Sequence, residues 1–464
     1  MINVLETDSE EIEKAIRESR LNICVVGLGW MGLPTACLLS KAGAKIIGVD
    51  TDQKKVELIN LGKSPIDEPG LETLLSRLVF EKRFLATTNL EDAIPICEVF
   101  LIVVPTLIDE RKRPDYSAVE HVCKNLGFRL RKDCLIIFES TVGPGVTETF
   151  VKNILESASG LKAGEDFGLA YSPIRATGGR VIKDITNYPR IVAAIDKKSL
   201  SATLAILKTI IKSELIVVRD IKTAEATKLF ENVYRDVNIA LANELAIFCE
   251  RAGINFDESK QAANTQPYCN LHKPGVGVGG HCIPINPYFL IEEAEALKAR
   301  LRLIQTARKV NDNMPGHTIR LVRKALRACN KTFKRSKIAV LGISYRANVK
   351  EARFSPSLEV VNMLDKKGAK TRVYDPYFNY KEIRLMGYNG EDSLQKTVED
   401  VDCIVINVGH NEFLGLDFEN FVRSVKKPIS IVDTSRILDP SKVKRAGFNY
   451  FGVGYGTPSN DSNP

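Results

Sequence analysis

The sequence predicts an α/β protein with two doubly wound, Rossmann-like domains joined by a long central helix. Short apolar runs alternate with helical patterns near both ends of the chain, and a glycine turn follows the first run in each region. Between these regions, residues 223–253 form a long helical pattern without proline. We therefore expect an N-terminal domain over residues 1–218, a central helical region over residues 219–330 and a C-terminal domain over residues 331–464.

The composition is typical of a globular chain with a sizeable core. The 464 residues suffice for roughly three domains of about 150 residues each. The net charge of +8 is a small surplus of basic over acidic side chains on a mixed surface. Short basic clusters at residues 111–113 and 331–337 indicate a solvated face or a contact with an anionic small molecule, and we predict no nucleic-acid partner.

Cysteine usage and the N-terminus bear on localisation. The ten cysteines lack CxxC pairs and regular spacing, which argues against a disulfide framework or a zinc ribbon and predicts no metal site. Residues 1–20 are acidic and predict no signal peptide, whereas residues 10–20 predict a short polar helix appended before the first domain. No run approaches the roughly 18 apolar residues of a membrane span. We expect a cytoplasmic protein without a membrane partner.

The first glycine turn, Gly27-Leu-Gly-Trp-Met-Gly32, follows the apolar run of residues 21–26 and precedes a helical pattern. In a dinucleotide fold, Gly27 allows the tight turn, Gly29 the approach of pyrophosphate, and Gly32 close packing of helix on strand. The pyrophosphate then lies at the helix N-terminus, where free N–H groups favour an anion. Trp30 and Met31 belong to the same predicted cofactor site.

The second strand, residues 44–49, ends on Asp50, about 20 residues beyond the glycine turn. An acid at this place binds the ribose hydroxyls of the adenosine and repels a 2′-phosphate. A glycine-rich packing turn would leave Asp50 unexplained. The pattern therefore predicts NAD as the cofactor.

Two later strands also end on polar residues. Residues 99–104 lead into Pro105 and Thr106, and residues 134–138 are followed shortly by Thr141. Carboxyl ends of parallel strands open toward the ligand crevice, so both threonines are expected to line the cofactor and substrate side. Simple turn chemistry is the alternative for each of them.

The central helical pattern, residues 223–253, has apolar residues at three- and four-residue spacing. Its apolar stretch at residues 241–248 predicts a largely buried helix, as in a domain connector or a dimer core, and a homodimer or higher homo-oligomer. Lys228 and Asn232 lie four residues apart and share one face. A second helix is expected over residues 288–310.

A glycine- and proline-rich loop, residues 273–290, lies between these two helices. Four glycines crowd the residues before Cys282, and two prolines follow it. Glycine lets backbone approach a ligand, and proline denies a regular helix. This setting suits a nucleophilic thiol, although a buried, inert cysteine is the alternative.

The C-terminal region repeats the pattern of strand, glycine turn, helix and strand from residue 336 onward, and its second strand ends on Asp375. The turn is degenerate, so we expect it to serve a nucleotide other than the redox cofactor. Further strands are predicted at residues 402–408 and 429–433.

Seven motifs in order make the chain resemble the nucleotide-sugar dehydrogenases, the UDP-glucose/GDP-mannose dehydrogenase family, from about residue 22 to residue 456. They are Gly27-Leu-Gly-Trp-Met-Gly-Leu-Pro34, Ser64-Pro-Ile-Asp-Glu-Pro-Gly70, Val104-Pro-Thr106, Ser140-Thr141, Glu225-Ala-Thr-Lys-Leu-Phe-Glu-Asn232, Gly279-Gly-His-Cys-Ile-Pro284 and Arg353-Phe-Ser-Pro356. The Gly-Gly-His-Cys form resembles the branch that acts on UDP-N-acetylglucosamine or UDP-N-acetylmannosamine.

The resemblance implies four-electron oxidation of a sugar C6 alcohol to a carboxylate with two NAD+. Cys282 would trap the aldehyde as a thiohemiacetal and then carry a thioester, while Lys228 stabilises the oxyanion and Asn232 hydrogen-bonds to it or orders the water. The C-terminal domain would hold the UDP-sugar, and the central helix would pair two subunits. The resemblance adds Thr141 to the catalytic residues and assigns the UDP-sugar to Lys228, Asn232, Gly277, Gly279, Arg346 and Arg353.

Two positions depart from the family pattern. Ile174 and Asn286 stand where the family usually carries Glu and Asp, two acids associated with proton transfer or water ordering. Their loss leaves the cofactor site and the nucleophile intact but affects thioester hydrolysis, unless an acid such as Glu139 substitutes. The alternatives are therefore a UDP-glucose or GDP-mannose 6-dehydrogenase, or a catalytically weak relative that binds nucleotide sugar or NAD.

Overall fold

A computed structural model describes residues 2–415 and 429–456 of the chain. The predicted C-terminal domain, residues 331–464, therefore extends beyond the described residues. Contacts divide the described chain into two compact units. The first contains the residues up to Glu231 together with Tyr288–Ala299, and the second contains Asn232–Pro287 together with the residues from Arg300 onward.

The strands, in chain order, are β1 (Asn22–Val26), β2 (Lys45–Val49), β3 (Phe84–Thr87), β4 (Val99–Ile102), β5 (Leu107–Ile108), β6 (Pro114–Asp115), β7 (Leu135–Phe138), β8 (Gly168–Tyr171), β9 (Arg190–Ala194), β10 (Leu215–Val217), β11 (Lys337–Leu341), β12 (Lys370–Tyr374), β13 (Cys403–Ile406), β14 (Ser430–Asp433) and β15 (Asn449–Gly452).

The described α-helices are α1 (Ser9–Arg17), α2 (Gly32–Ala42), α3 (Gln53–Asn60), α4 (Leu71–Phe80), α5 (Ser117–Gly127), α6 (Lys152–Ser159), α7 (Val181–Asn187), α8 (Lys197–Lys208), α9 (Ile221–Ala252), α10 (Phe256–Ala263), α11 (Asn286–Ala296), α12 (Arg302–Asp312), α13 (Met314–Ala328), α14 (Pro356–Lys366), α15 (Tyr380–Leu385), α16 (Leu394–Val398), α17 (Asn411–Leu414) and α18 (Pro440–Arg445). A π-helical turn, Thr147–Val151, leads directly into α6.

The first unit is built on an eight-stranded sheet with the order β10-β9-β8-β7-β4-β1-β2-β3. Its neighbouring strands run parallel except for β8 and β9, which pair antiparallel. β1, β4 and β7 are almost fully buried because helices cover both faces of the sheet. The predicted doubly wound N-terminal fold is confirmed.

The second unit contains a five-stranded parallel sheet with the order β12-β11-β13-β14-β15 among its described residues. This is a doubly wound order, with the switch point between β11 and β13, where ligands bind in such sheets. The predicted fold class, two Rossmann-like α/β regions with a long helix between them in the chain, is confirmed.

The short polar helix predicted at residues 10–20 is present as α1, but it packs into the first core and is not merely appended to it. Ile12 and Ile16 lie one turn apart on the same face and are buried in that core. Charged residues occupy the other faces, which gives the segment its polar composition. Asp8 caps the helix by accepting the N–H of Glu11 at 2.8 Å.

The predicted single helix at residues 288–310 is instead two helices, α11 and α12. Lys298 adopts a positive φ of 57°, and the N–H of Ala299 donates to the carbonyl of Ala294 at 2.7 Å. This left-handed residue ends α11 although neither glycine nor proline marks the site. The apolar spacing continues across the break, which misled the sequence prediction.

The long helix α9 confirms the predicted central helix to within two residues, but it is less buried than expected. Ala242 and Ala246 are fully buried, whereas Leu241 and Phe248 in the same stretch are 43% and 59% exposed. Phe230 and Tyr234 are 57% and 56% exposed one turn apart. The helix thus has one packed face and one exposed face rich in large apolar side chains.

No helix in residues 2–415 or 429–456 has the length and apolar character needed to cross a membrane.

Candidate active site

The first glycine turn has the geometry of a dinucleotide cradle. Gly27 has a φ of +98°, and a Cβ there would lie 2.5 Å from the carbonyl oxygen of Val103. A Cβ on Gly32 would lie 1.8 Å from the oxygen of Gly27, whereas one on Gly29 would meet nothing within 4 Å. The fold therefore requires Gly27 and Gly32, while Gly29 leaves open space beside the backbone.

Helix α2 begins at this turn. The residue just before it, Met31, has helical dihedrals, and no side chain caps the first turn. Uncapped N–H groups and the helix dipole favour an anion at this end. Trp30 is half-buried nearby, and its ring lies 3.9 Å from the position of a Cβ on Gly178. These features fit the diphosphate of NAD.

Asp50 follows β2 and is tied to the turn. Its Oδ2 accepts the N–H of Leu28 at 2.9 Å, and Lys55 Nζ donates to both carboxylate oxygens at 2.9 and 2.8 Å. The Asp50 side chain is 10% exposed and that of Lys55 25% exposed. The N–H of Asp52 also donates to Oδ1 at 3.1 Å, so a ribose hydroxyl would bind Asp50 by displacing Lys55, a residue that the sequence did not predict for the site.

Thr106 and Thr141 come together as expected for neighbouring strand ends. Thr106 Oγ1 donates to the carbonyl oxygen of Thr141 at 2.6 Å. The N–H of Gly143 donates to the Tyr116 hydroxyl at 3.0 Å, which holds the chain just beyond Thr141. Pro105 is exposed beside them. The segment around Thr141 is therefore fixed by side chains from two other parts of the first unit.

Glu225 holds the next part of the same segment and was not recognised as a site residue. Its carboxylate accepts the N–H groups of Gly145 and Thr147, the latter at 2.8 Å. The side chain is fully buried, and this burial raises the pKa of Glu225 to about 7. Because Glu225 lies in the first turns of α9, it connects the Thr141 segment to the helix that carries Lys228.

Lys228 Nζ donates to the main-chain carbonyl of Ile174 at 2.7 Å. The Ile174 side chain is 6% exposed and belongs to the apolar core of the first unit. The residue that replaces the expected acid therefore still positions Lys228 through its backbone, but its side chain offers no group that could take a proton. Asn232, one turn further along α9, is 7% exposed.

Cys282 is exposed, whereas the other nine cysteines are buried or half-buried. Its loop packs against residues 345–356 of the second unit. A Cβ on Gly279 would lie 2.7 Å from the carbonyl oxygen of Phe354, and one on Gly280 would lie 2.8 Å from the Tyr345 ring. Gly277 has a φ of +130°. The glycines thus serve close packing and leave the thiol accessible, contrary to the buried-cysteine alternative.

His281 lies beside Cys282 in the chain and contacts the same segment. Its ring meets Tyr345 and Phe354 edge-on, at centroid distances of 6.5 and 6.1 Å. Its Nε2 is 3.7 Å from Glu351 Oε2, and burial lowers the pKa of His281. Glu351 also pairs with Arg353 at 3.0 Å. This network orients the loop before Cys282.

The two arginines expected to bind the nucleotide sugar differ in exposure. Arg353 has 65% of its side chain exposed, although its guanidinium pairs with Glu351. Arg346 is half-buried.

Asn286 is the first residue of α11 and is 3% exposed. Its N–H donates to the carbonyl oxygen of Cys282 at 2.8 Å, so it stands one helical turn after the thiol. Its side-chain Nδ2 is buried and has no hydrogen-bond partner among the described residues. An amide here can donate a hydrogen bond but cannot accept a proton from water.

Glu139 is not free to replace the missing acids. It is fully buried and paired with Arg190, which also donates to Ser172. Burial raises the pKa of Glu139 to about 6, while the Arg190 charge opposes this rise. The pair fixes the ends of β7 and β9 within the core.

The second glycine turn uses its acid differently. Asp375 is fully buried, and its Oδ2 accepts the N–H groups of Ile343 and Ser344 at 2.8 and 3.0 Å. The same oxygen lies 3.1 Å from Nε2 of His410, which is also fully buried. The Asp375 carboxylate is therefore fully occupied by contacts within the second unit and is not available to a ligand.

Three segments of the chain match consecutive parts of one protein family. Residues 21–213 match the UDP-glucose/GDP-mannose dehydrogenase family, NAD binding domain; residues 222–313 match its central domain; and residues 339–440 match its UDP binding domain. A UDP-N-acetyl-D-mannosamine dehydrogenase of Pyrococcus horikoshii is 34% identical over 94% of this chain and all of its own. An NDP-N-acetyl-D-galactosaminuronic acid dehydrogenase of Ralstonia solanacearum is 35% identical over 91% of this chain and 97% of its own.

Solved structures agree with these matches. The UDP-D-ManNAc dehydrogenase structure from Pyrococcus horikoshii superposes with a TM-score of 0.88, at 34% identity over 94% of this chain and all of its own. A UDP-glucose dehydrogenase structure from Pyrobaculum islandicum superposes with a TM-score of 0.84, at 25% identity over 95% of this chain and 99% of its own. The cofactor cradle, the exposed cysteine loop and these matches lead to one conclusion: the chain belongs to the UDP-glucose/GDP-mannose dehydrogenase family and carries its NAD-binding domain.

Proposed function

We propose that the protein oxidises the C6 alcohol of a UDP-N-acetylhexosamine to the uronate in an NAD-dependent reaction, with UDP-N-acetylmannosamine as the first substrate to test. The observation that carries the proposal is Cys282, an exposed thiol on a glycine-rich loop. Relatives named for UDP-N-acetyl-D-mannosamine match the chain over nearly its whole length. The His281 side chain beside the thiol supports the N-acetylhexosamine branch.

The cofactor site supports the redox half of the reaction. The open Gly29 position, the uncapped start of α2 and the Asp50 carboxylate would hold diphosphate and ribose. Bound NAD+ supplies the hydride acceptor for both oxidation steps. The balanced reaction converts one alcohol, two NAD+ and one water into a carboxylate, two NADH and three protons.

The proposed roles of the protein groups follow their chemistry. The Cys282 thiolate adds to the C6 aldehyde, and the carbon–sulfur bond persists until water cleaves the thioester and releases the thiol. Lys228, already positioned by the Ile174 carbonyl, supplies a fixed positive charge for the oxyanion. Asn232 donates a hydrogen bond to the same oxygen or to the water.

Thioester cleavage is the step that the two substitutions affect. A positioned general base contributes roughly 10²- to 10⁴-fold. The buried, apolar Ile174 side chain and the Asn286 amide cannot take a proton from water, and Glu139 is engaged by Arg190. We therefore infer that hydrolysis limits turnover. The second candidate function, a catalytically weak relative that binds nucleotide sugar or NAD, rests on the same two residues.

A substrate panel tests the proposed activity. NADH formation is followed with UDP-N-acetylmannosamine, UDP-N-acetylglucosamine, UDP-glucose and GDP-mannose, and we expect the UDP-N-acetylhexosamines to react fastest. Cys282→Ala should abolish uronate formation and leave NAD+ affinity nearly unchanged. Substantial uronate synthesis by that variant would rule out the covalent mechanism.

Transient kinetics separates the active enzyme from the weak relative. Enzyme mixed with its substrate and NAD+ should show a burst of NADH, a slow steady rate and an adduct on Cys282 by intact mass. Asn286→Asp should accelerate the slow phase and leave the burst unchanged. Absence of both burst and adduct, with slower turnover in Asn286→Asp, would show that the site activates water by other groups.

We further propose that the exposed apolar face of α9 forms a homodimer interface. Phe230, Tyr234, Leu241 and Phe248 recur at four- and seven-residue intervals and are each at least 43% exposed. Leu241→Glu combined with Phe248→Glu should convert a dimer into a monomer by light scattering at micromolar concentration. Leu385→Glu, at a residue 88% exposed on another helix, serves as the matched control. A monomeric wild type would refute the interface.

A further inference from the structure

We propose that the second unit carries a separate anion site, at one end of α13, that takes a compact group of adjacent phosphates such as a diphosphate. The sequence around this helix is strongly basic. Residues 313–337 contain no acidic side chain. The basic side chains in this stretch are Arg320, Arg323, Lys324, Arg327, Lys331, Lys334, Arg335 and Lys337.

Helix α13 sorts these charges onto one face. Arg320, Arg323, Lys324 and Arg327 recur at three- and four-residue spacing and are all exposed. On the opposite face, Val322 and Leu326 are buried in the core of the second unit. The helix therefore presents a cationic face that packing does not use.

The last turn of α13 and the following loop enclose a shallow cavity of about 170 Å³. We call it the basic pocket. It is lined by Arg323, Leu326, Arg327, Lys331, Thr332 and Phe333. The Arg323 guanidinium and the Lys367 ammonium lie 6.0 and 5.8 Å from the centre of the Phe333 ring. The ring thus lies near two cations, of which Arg323 lines the pocket, without neutralising either charge.

Few acidic side chains pair with the basic residues at the pocket. Lys331 pairs with Asp402 at 3.3 Å. Within residues 2–415 and 429–456, Arg323, Arg327 and Lys367 form no ion pair with an acidic side chain. Adjacent like charges repel one another, and a bound anion would relieve that repulsion. The unpaired positive charge of the pocket therefore favours binding of an anion.

The lining residues define the ligand chemistry. Arginine offers a planar fork that matches phosphate oxygens in pairs, and lysine adds a point charge. The cavity is well below the roughly 300–1,000 Å³ of sites that enclose drug-sized ligands. It can accept a diphosphate group, while anything attached to that group stays outside. Such a group could belong to a soluble nucleotide or to a lipid headgroup.

Calorimetric titration with inorganic pyrophosphate tests the site. The full-length protein is saturated with NAD+ and UDP, so that the other nucleotide sites do not contribute. R323Q/R327Q/K331Q should bind pyrophosphate at least about tenfold more weakly than the wild type, because three charge-assisted contacts are lost. R111Q/K112Q/R113Q removes the same charge from the other basic cluster and should retain the wild-type affinity. Unchanged thermal unfolding confirms that the variants are folded.

Vesicle sedimentation distinguishes the two sources. The probe vesicles carry phosphatidylinositol 4,5-bisphosphate, whose two phosphates are adjacent, and phosphatidylcholine vesicles are the control. If the protein pellets only with the former, and R323Q/R327Q/K331Q alone loses this binding, the site is assigned to a lipid headgroup. Pyrophosphate binding without pelleting would assign it to a soluble ligand. Equal affinity of the wild type and R323Q/R327Q/K331Q for pyrophosphate, or equal losses in both triple variants, would overturn the proposal.

Discussion

The two glycine turns begin alike and differ in how the fold uses the acid that follows. In each unit a buried strand leads into a glycine with positive φ, Gly27 in one and Gly342 in the other. In each unit the next strand ends on an aspartate that accepts a backbone N–H of the turn, at 2.9 Å for Asp50 and 2.8 Å for Asp375. The two turns therefore share the same order of strand, positive-φ glycine and hydrogen-bonded aspartate.

The surroundings of the acids separate the two turns. Asp50 is 10% exposed and pairs with Lys55, which reaches solvent, whereas Asp375 is fully buried against His410. Helix α2 begins within the first turn, while α14 begins only at Pro356, capped by Ser355. A dinucleotide site needs both an available acid and a helix N-terminus at the turn, so only the first unit retains it.

The largest expected effect comes from two glycines of the first turn. In Gly32→Ala the new Cβ would lie 1.8 Å from the Gly27 oxygen, so the turn cannot form without a backbone shift. We expect about 3–5 kcal/mol of destabilisation in urea unfolding. Gly29→Ala meets no atom within 4 Å and should fold normally but lose NAD+ binding. Normal stability of Gly32→Ala would contradict the steric argument.

The second test exchanges the two acids for amides. Asp375→Asn replaces an acceptor of several N–H groups and should cost about 3 kcal/mol. Burial tends to raise the pKa of Asp375, but His410 and the backbone donors outweigh it, so the pKa is lowered. Its contribution is therefore present above about pH 4 and lost as the pH falls through the folded-state pKa.

Asp50→Asn is the matched control and should cost about 1 kcal/mol, less than Asp375→Asn, because Asp50 is partly exposed and the amide oxygen can still accept the N–H of Leu28. Urea unfolding of both variants at neutral and acid pH checks the difference. Equal losses of stability would show that the two acids serve the fold in the same way.

Local spacing explains what the sequence predicted correctly. Strand, glycine turn and acid are encoded within about 30 residues of the first Rossmann-like region and about 40 residues of the second, and Cys282 is marked by its neighbouring glycines. The exposure of the thiol and the backbone contact between Lys228 and Ile174 depend on tertiary packing, so the sequence could not provide them.

The missed features have three different physical causes. Glu225 meets Gly145 across 80 residues of sequence, and only the folded first unit shows that pairing. The end of α11 depends on the left-handed Lys298, a conformation that no residue type there predicts. The buried face of α1 is formed by only Ile12, Ala15 and Ile16, too few to outweigh its charged residues in a composition-based prediction.

Glu225 extends the comparison with Asp375. Both carboxyl groups accept backbone N–H groups, but the pKa of Glu225 is raised whereas that of Asp375 is lowered. Burial raises the pKa of Glu225 to about 7, so the folded protein binds its proton more tightly than the unfolded chain. Stability from this group is highest below the unfolded pKa and falls as the pH rises toward about 7. The loss should be about 2 kcal/mol between about pH 5.5 and 7.

Glu225→Gln keeps one acceptor and should flatten this part of the stability curve. Urea unfolding of the wild type and the variant across that range measures the difference in slope. Parallel curves would mean that Glu225 keeps an ordinary carboxyl pKa in the folded protein.

The smallest expected effect concerns cofactor choice and decides whether Asp50 is available to a ligand. Its negative charge beside the ribose should make kcat/KM much higher with NAD+ than with NADP+. Lys55 holds both carboxylate oxygens and would itself attract a 2′-phosphate, so it reduces the discrimination that Asp50 provides. Asp50→Asn should therefore lower the NAD+ preference by about tenfold, which corresponds to about 1.4 kcal/mol. Lys55→Gln, the matched variant, should raise the preference because the repulsion is then unopposed. Equal kcat/KM for the two cofactors in the wild type would show that Lys55 neutralises Asp50 completely, and the first acid would then be as unavailable to a cofactor as Asp375.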